Sequence, residues 1–140
     1  EIDSNPPGNG EFESAFIGFP APSSITVETL PTLFAGTSHA LLCRKYEKGR
    51  DWYDFLWYLG NKTPINYRRL SAALGQTGPW AGNDITVDRT WYLDEMKRRI
   101  GEMDWARAKD DVAPFISRQE QGILIKWSAD FFLSALERLP

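Results

Sequence analysis

The chain has 140 residues, a formal net charge of −3 at pH 7 and a 42% hydrophobic composition with six tryptophans. This length fits one domain with a buried core, and the aromatic content excludes a disordered chain. The net charge excludes a global basic field for nucleic acid, and no apolar run approaches the roughly 20 residues of a membrane span. With one cysteine and no signal peptide, the chain is expected to be cytoplasmic.

The N-terminal part is predicted to contain loops and two short strands. Glu1 and Asp3 are two residues apart, so they would lie on the same side of a strand. A loop rich in proline, glycine and asparagine follows, and strands are predicted over residues 14–19 and 25–29. The chain begins without a methionine and partway along a strand, so we expect it to be a fragment of a longer protein.

The clearest helical signal lies in the middle of the chain. A first helix is predicted from about Pro31 to about Arg44, since proline suits the first turn. In the next helix four apolar residues occupy positions i, i+3, i+4 and i+7, which places them on one face. These residues are Trp52, Phe55, Leu56 and Leu59.

Two acids of this second helix are candidates for chemistry. Asp51 and Asp54 are three residues apart and lie together on another face. Carboxylates on a largely buried helix need partners or line a cleft. Residues 44–50, just before them, contain four basic residues and one acid. Either Asp51 assists the helix cap, Asp54 pairs with Arg50 and the basic loop is solvated, or these groups form a phosphate-handling site.

The remaining elements are predicted to be helical. Their expected limits are residues 66–74, 88–103, 104–114 and 123–139, with Asn66, Asp88 and Asp104 as caps. Arg68 and Arg69 are predicted on an exposed side, and His39 is predicted to be a surface or helix–helix contact residue and not a general base. This order of elements predicts an α+β fold, a mostly helical bundle whose few short N-terminal strands complete a sheet supplied by missing sequence.

Two segments carry a family resemblance. Leu33–Arg44 followed by Lys48–Phe55 resembles the AbiEii-type nucleotidyltransferase toxins. In that family a helix reading roughly Phe-Ala-x-Lys-x-x-Ala-Leu-x-x-Arg precedes a basic loop and Gly-Arg-Asp-x-x-Asp. Asp111–Phe115 and Trp127–Phe132 resemble the family's C-terminal helices. These proteins are the toxin halves of bacterial toxin–antitoxin and phage-defence pairs.

The resemblance implies a role in nucleotidyl transfer. The complete protein would have a polymerase-β-like fold, with residues 1–29 as a remnant of its core and residues 30–140 as a helical domain. It would transfer a nucleoside monophosphate from an NTP to an acceptor such as the tRNA 3′ end. The 140 residues, as a C-terminal fragment, are expected to be inactive because they contain no Asp-x-Asp strand and no Gly-Ser phosphate loop. The alternative is a non-catalytic helical module that binds an antitoxin, RNA or its own catalytic domain.

The resemblance also implies roles for particular residues. Asp51 would orient or deprotonate the attacking hydroxyl, and Asp54 would brace it or Arg50. Thr37 stands where the family carries a lysine, so it cannot supply that positive charge; Lys45 or Lys48 of the basic loop would then have to supply it.

Nucleotide and metal contacts follow from the same resemblance. Arg44, Lys48 and Arg50 would contact phosphates. Mg²⁺ would be held mainly by residues outside these 140, with Asp3 as a weak candidate ligand; a solvated strand end is the favoured alternative for Asp3.

Overall fold

The computed structural model describes residues 12–17, 23–44 and 48–140, with side chains described over residues 28–44 and 48–140. The strands in this part are β1 (Phe12–Ile17) and β2 (Ser23–Glu28). The helices are α1 (Leu30–Cys43), α2 (Gly49–Gly60), α3 (Tyr67–Gln76), α4 (Arg89–Glu102), α5 (Trp105–Val112) and α6 (Ala129–Leu136), with 3-10 turns at Ala113–Phe115 and Gln121–Lys126.

The predicted α+β fold, with strands completing a larger sheet, is wrong. β1 and β2 pair antiparallel with each other, Phe12 opposite Glu28 and Ile17 opposite Ser23, and make a two-stranded hairpin. From Thr29 onward the described residues form helices and loops without a strand, so this part of the chain is helical. Local alternation predicts that a segment is extended but does not reveal which strand it pairs with. Neighbouring strands joined by a short loop readily pair as a hairpin.

The predicted helix starts are confirmed where a side chain caps the helix. The side chains of Asn66, Asp88 and Asp104 accept hydrogen bonds from the backbone N–H three residues later. The single helix predicted over residues 123–139 is wrong. A 3-10 turn ends before Trp127, and α6 begins anew after Ser128, whose hydroxyl accepts a hydrogen bond from the N–H of the third residue after it.

The exposed position predicted for Arg69 is also wrong. Arg69 is only 8% exposed, and its Nη2 lies 2.9 Å from Oε1 of Glu28. The pairing explains the burial, because an arginine leaves water more readily when a carboxylate meets it. Helical periodicity predicted that Arg69 lies beside Arg68 on a polar side of the helix. It could not predict that Glu28, at the end of β2, covers Arg69.

The apolar face predicted for α2 is confirmed for three of its four residues, which form the centre of the core; Leu56 is partly buried and packs against it. Trp52, Phe55 and Leu59 are at most 2% exposed. The ring of Trp52 meets Trp105 of α5 and Phe132 of α6 edge to face, with centroids 5.0 and 5.3 Å apart. This geometry suits the quadrupoles of aromatic rings. The core therefore holds α2 at a fixed rotation.

The end of α1 is held against α4 by the side chain of Arg99. Arg99 donates hydrogen bonds to the backbone oxygens of Leu41 and Arg44, at 3.0 and 2.8 Å. Carbonyl groups in the last turn of a helix lack intrahelical partners, and a cation also complements the helix dipole there. Arg99 thus fixes the backbone that carries Arg44.

Among the described residues, no helix is both long and apolar enough to cross a membrane.

Gly49 allows α2 to approach α5 more closely than any other residue type would. A Cβ atom at this position would overlap the backbone oxygen of Ala108 and lie 2.8 Å from Cβ of Val112. Backbone atoms of a packed helix cannot move aside cheaply. The absence of a side chain at Gly49 is therefore a requirement of the α2–α5 contact.

Replacing Gly49 with alanine should destabilise the protein by about 1–3 kcal/mol, because the added methyl group overpacks this contact. Urea denaturation of Gly49→Ala would measure the loss. Gly36→Ala is the matched control, since a Cβ at Gly36, within α1, would meet no atom within 4 Å. That control should gain up to about 1 kcal/mol from helix propensity. Equal stability of Gly49→Ala and the wild type would contradict the packing argument.

Candidate functional site

An open cleft of about 360 Å³ lies beside the first half of α2. It is lined by Lys48, Arg50, Asp51, Tyr53, Asp54, Val112, Phe115 and Ile116. The first five come from the beginning of α2 and the residue before it. The last three come from the end of α5 and the 3-10 turn and residue that follow. The cleft therefore brings together two cations and both carboxylates that the sequence singled out.

Asp51 forms the wall of the cleft that faces the core. Its side chain is 17% exposed, and its Oδ2 lies 3.4 Å from Nη1 of Arg44. Burial raises the pKa of Asp51, and the charge of Asp111 raises it further, while Arg44, Lys48 and Arg50 oppose the shift. The net shift is upward, so Asp51 binds a proton more readily than an aspartate in water. Such a carboxylate is a better proton acceptor.

Asp54 is more open to solvent than Asp51. Burial, followed by the charge of Asp51, raises the pKa of Asp54, and Arg50 opposes the shift. The ion pair between Asp54 and Arg50 that the simpler explanation required is not among the salt bridges of the described residues. The guanidinium carbon of Arg50 instead lies 4.6 Å from the ring centroid of Phe115. Asp54 therefore faces the cleft without a fixed cation.

Arg44 and Thr37 lie outside the lining of this cleft. Arg44 reaches Asp51 from a smaller crevice, which Arg99 also lines. The Thr37 side chain hydrogen-bonds with the hydroxyl of Tyr58, whose ring stacks on Phe34 with centroids 4.6 Å apart. The structure thus places Thr37 beside α2, but about two turns away from Asp51 along that helix.

The described residues do not fit a magnesium site. No group of three or more His, Cys, Asp or Glu side chains that could hold a metal occurs among them. Mg²⁺ prefers an octahedral set of oxygen ligands, whereas Asp51 has cations as its neighbours. The predicted ligand Asp3 lies outside the described residues.

His39 and Cys43 are explained by packing. Nε2 of His39 lies 3.0 Å from the backbone oxygen of Thr77, which follows α3. This contact between helices agrees with the predicted role of the histidine. Burial raises the pKa of Cys43 to about 11, which keeps the thiol protonated and unreactive.

Sequence reasoning missed the residues that α5 and the following turn contribute. Val112, Phe115 and Ile116 line the cleft, and Oδ2 of Asp111 accepts a hydrogen bond from the N–H of Gly49 at 2.8 Å. The segment from Asp111 to Phe115 was noted only for its family resemblance. Its contact with α2 spans 62 residues of sequence, and no local pattern reveals a contact of that kind.

The raised pKa of Asp51 makes stability depend on pH in a defined direction. The folded protein binds the proton more tightly than the unfolded chain, whose value is near 3.8. The free energy of unfolding contributed by Asp51 therefore rises as pH falls through the folded pKa, and it levels off below 3.8.

Asp51→Asn mimics the protonated side chain, so it should raise the free energy of unfolding at pH 7. The gain over wild type should shrink as pH falls through the pKa of Asp51, as measured by urea denaturation at a series of pH values. Asp94→Asn, at an exposed position of α4, is the control and should not reproduce this pH dependence. A destabilised Asp51→Asn variant at pH 7 would contradict the inferred cost of burying the charge.

A family comparison covers almost the whole chain. The model of a family described as "Nucleotidyl transferase AbiEii toxin, Type IV TA system" matches residues 1–135. No curated protein matches the chain, and no solved structure matches it. The matched segment includes all the residues that line the cleft. The chain therefore belongs to the AbiEii family of nucleotidyl transferase toxins of type IV toxin–antitoxin systems.

Proposed function

We propose that the cleft beside α2 binds the phosphates of an NTP and accepts the proton of the attacking hydroxyl during nucleotidyl transfer. The acceptor would be an RNA such as the 3′ end of a tRNA. The observation that carries this proposal is the joint lining of one open cleft by Lys48, Arg50 and two carboxylates with raised pKa values. Family membership supports the reaction class, since the family is one of nucleotidyl transferases.

The cations of the cleft suit a nucleotide triphosphate. Nucleotidyl transfer depends on positioning and on neutralising the charge of the phosphates. Lys48 supplies a compact point charge, and Arg50 supplies a planar group that binds phosphate oxygens in pairs. Arg44 has a different part, because it approaches Asp51 from the other crevice and holds that carboxylate. The triphosphate therefore contacts Lys48 and Arg50.

Asp51 is the proton acceptor of the proposed reaction. The acceptor hydroxyl oxygen attacks the α-phosphorus of the NTP, and the bond from that phosphorus to the bridging oxygen breaks, which releases pyrophosphate. The hydroxyl proton passes to Asp51. Its raised pKa favours this transfer, because a general base works best when its pKa is near the working pH. The charge of Asp51 raises the pKa of Asp54, which lines the same cleft.

The chain on its own is proposed to be inactive. Its sequence contains neither an Asp-x-Asp strand nor a Gly-Ser loop, and the described carboxylates do not converge on a metal site. Magnesium, where it takes part, would be held by carboxylates that another segment or chain supplies, so no step above is assigned to it. Thr37 does not replace the family's lysine as a charge; its hydroxyl holds Tyr58.

Membership in a toxin–antitoxin family implies an antitoxin partner. We propose that this antitoxin counteracts the toxicity that results from nucleotide transfer to RNA. The growth experiments below therefore use cells that carry the complete toxin without its antitoxin.

Asp51→Asn in the complete toxin should lower the transfer of labelled nucleotide to tRNA by about 10²–10⁴-fold and should abolish growth inhibition. Asp94→Asn, the exposed acid on α4, should retain both activities. Circular dichroism of the purified proteins checks that each variant folds. A folded Asp51→Asn variant with wild-type transfer would exclude Asp51 as the proton acceptor and would favour a binding module without chemistry.

Lys48→Gln in the complete toxin should raise KM for the NTP by about 10–100-fold with a smaller effect on kcat, because it removes a charged contact to phosphate. Steady-state transfer rates at a series of NTP concentrations measure both constants. Lys97→Gln, at an exposed position of α4, is the control. An unchanged KM for Lys48→Gln would place the triphosphate elsewhere.

A further inference from the structure

Asp111 connects the two walls of the cleft. Its Oδ2 accepts a hydrogen bond from the N–H of Gly49 at 2.8 Å, and Gly49 is the first residue of α2. The first N–H groups of a helix have no partner within the helix. Lys48, the residue at the N-cap position, makes no side-chain capping bond. A side chain from α5 therefore caps α2, across 62 residues of sequence.

The position of this bond is tied to the shape of the cleft. The contact that requires Gly49 to lack a side chain involves Ala108 and Val112 of α5. Val112 also lines the cleft, together with Asp51 of α2. The Asp111–Gly49 hydrogen bond joins the same two helices. Loss of the bond would free the first turn of α2 from α5.

We propose that Asp111 is a positioning residue for Asp51, because its hydrogen bond to Gly49 fixes the first turn of α2 against α5. The inference rests on the proposed function in so far as Asp51 is the proton acceptor. Asp111 itself need not touch substrate. The carboxylate of Asp111 already accepts a hydrogen bond from the N–H of Gly49, so this N–H cannot bind an incoming phosphate. The phosphate would contact the side chains of Lys48 and Arg50 instead.

Several charged groups act on Asp51 from the elements packed around it. The groups that shift its pKa are Arg44 at the end of α1, Asp111 of α5, and Lys48 and Arg50 on or beside α2. Arg99 of α4 and Asp54 of α2 line the crevices next to it. Asp111, an exposed acid of α5, also raises the pKa of Asp51, but burial and the cations Arg44, Lys48 and Arg50 each have a larger effect. Removal of its charge therefore lowers the pKa of Asp51 and makes this carboxylate a weaker base.

Two substitutions separate the hydrogen bond from the charge. Asp111→Asn keeps an oxygen that can accept the bond from Gly49 but removes the charge. Asp111→Ala removes both. Asp110→Asn, which changes the neighbouring exposed acid of the same helix, is the matched control. The titration midpoint of the Asp51 carboxyl carbon, measured by NMR, should fall in both Asp111 variants and stay unchanged in the control. Exchange of the Gly49 amide should be roughly fivefold faster in Asp111→Ala and little changed in Asp111→Asn.

The pH profile of nucleotide transfer by the complete toxin gives a separate readout. In Asp111→Asn its acidic limb should move to lower pH in step with the NMR midpoint. An Asp51 midpoint equal to that of the wild type would overturn the inference. Exchange of the wild-type Gly49 amide at the rate of an unprotected amide would also overturn the inference. This measurement does not depend on the folding of any variant. If the midpoint moves and the acidic limb does not, the coupling of Asp111 to Asp51 stands and the proposed base role of Asp51 fails.

Discussion

The packing of Trp52 into the core is the constraint on which the candidate site depends. Its ring meets aromatic rings of α5 and α6 edge to face, and this contact sets the rotation of α2 about its own axis. Asp51 precedes Trp52 directly, so the carboxylate must emerge at the edge of the buried face. A helix that is anchored by large rings changes its rotation only at a high cost in packing. The core thus determines where the acid lies.

Burial and nearby cations shift the pKa of Asp51 in opposite directions. Partial burial disfavours its charge, and three nearby cations favour it, yet the net result is a raised pKa. Burial therefore outweighs the ion pair with Arg44, whose closest approach of 3.4 Å is long for a charge-assisted hydrogen bond. An acid held only by its ion pair would show a lowered pKa. An open cleft together with a raised pKa supports the proposal that Asp51 takes part in chemistry.

The features that the sequence predicted well are those that depend on neighbours along the chain. The apolar face of α2 and the caps Asn66, Asp88 and Asp104 follow from spacings of three and four residues, and the structure confirms them. A break in the last helix was missed, although Ser128 is a good N-cap residue. The prediction of one continuous helix rested on apolar periodicity alone and therefore extended that helix through a 3-10 turn.

The features that the sequence did not predict depend on contacts between distant segments. Arg69 is buried because Glu28 covers it, and Asp111 reaches Gly49 from the end of α5. The pairing of β1 with β2 also depends on a distant contact, because the alternation of apolar and polar residues within one strand does not determine which strand it pairs with. At the candidate site, the sequence singled out four residues on the α2 side of the cleft. The residues on the α5 side could be identified only from the fold.

The central claim is that the cleft beside α2 receives the triphosphate of an NTP. A crystal structure of the complete toxin with a non-hydrolysable NTP analogue tests it most directly. Phosphate oxygens are expected within hydrogen-bonding distance of Lys48 and Arg50, with the α-phosphorus on the side of Asp51. An analogue bound elsewhere, with these two cations in contact with protein groups alone, would contradict the account.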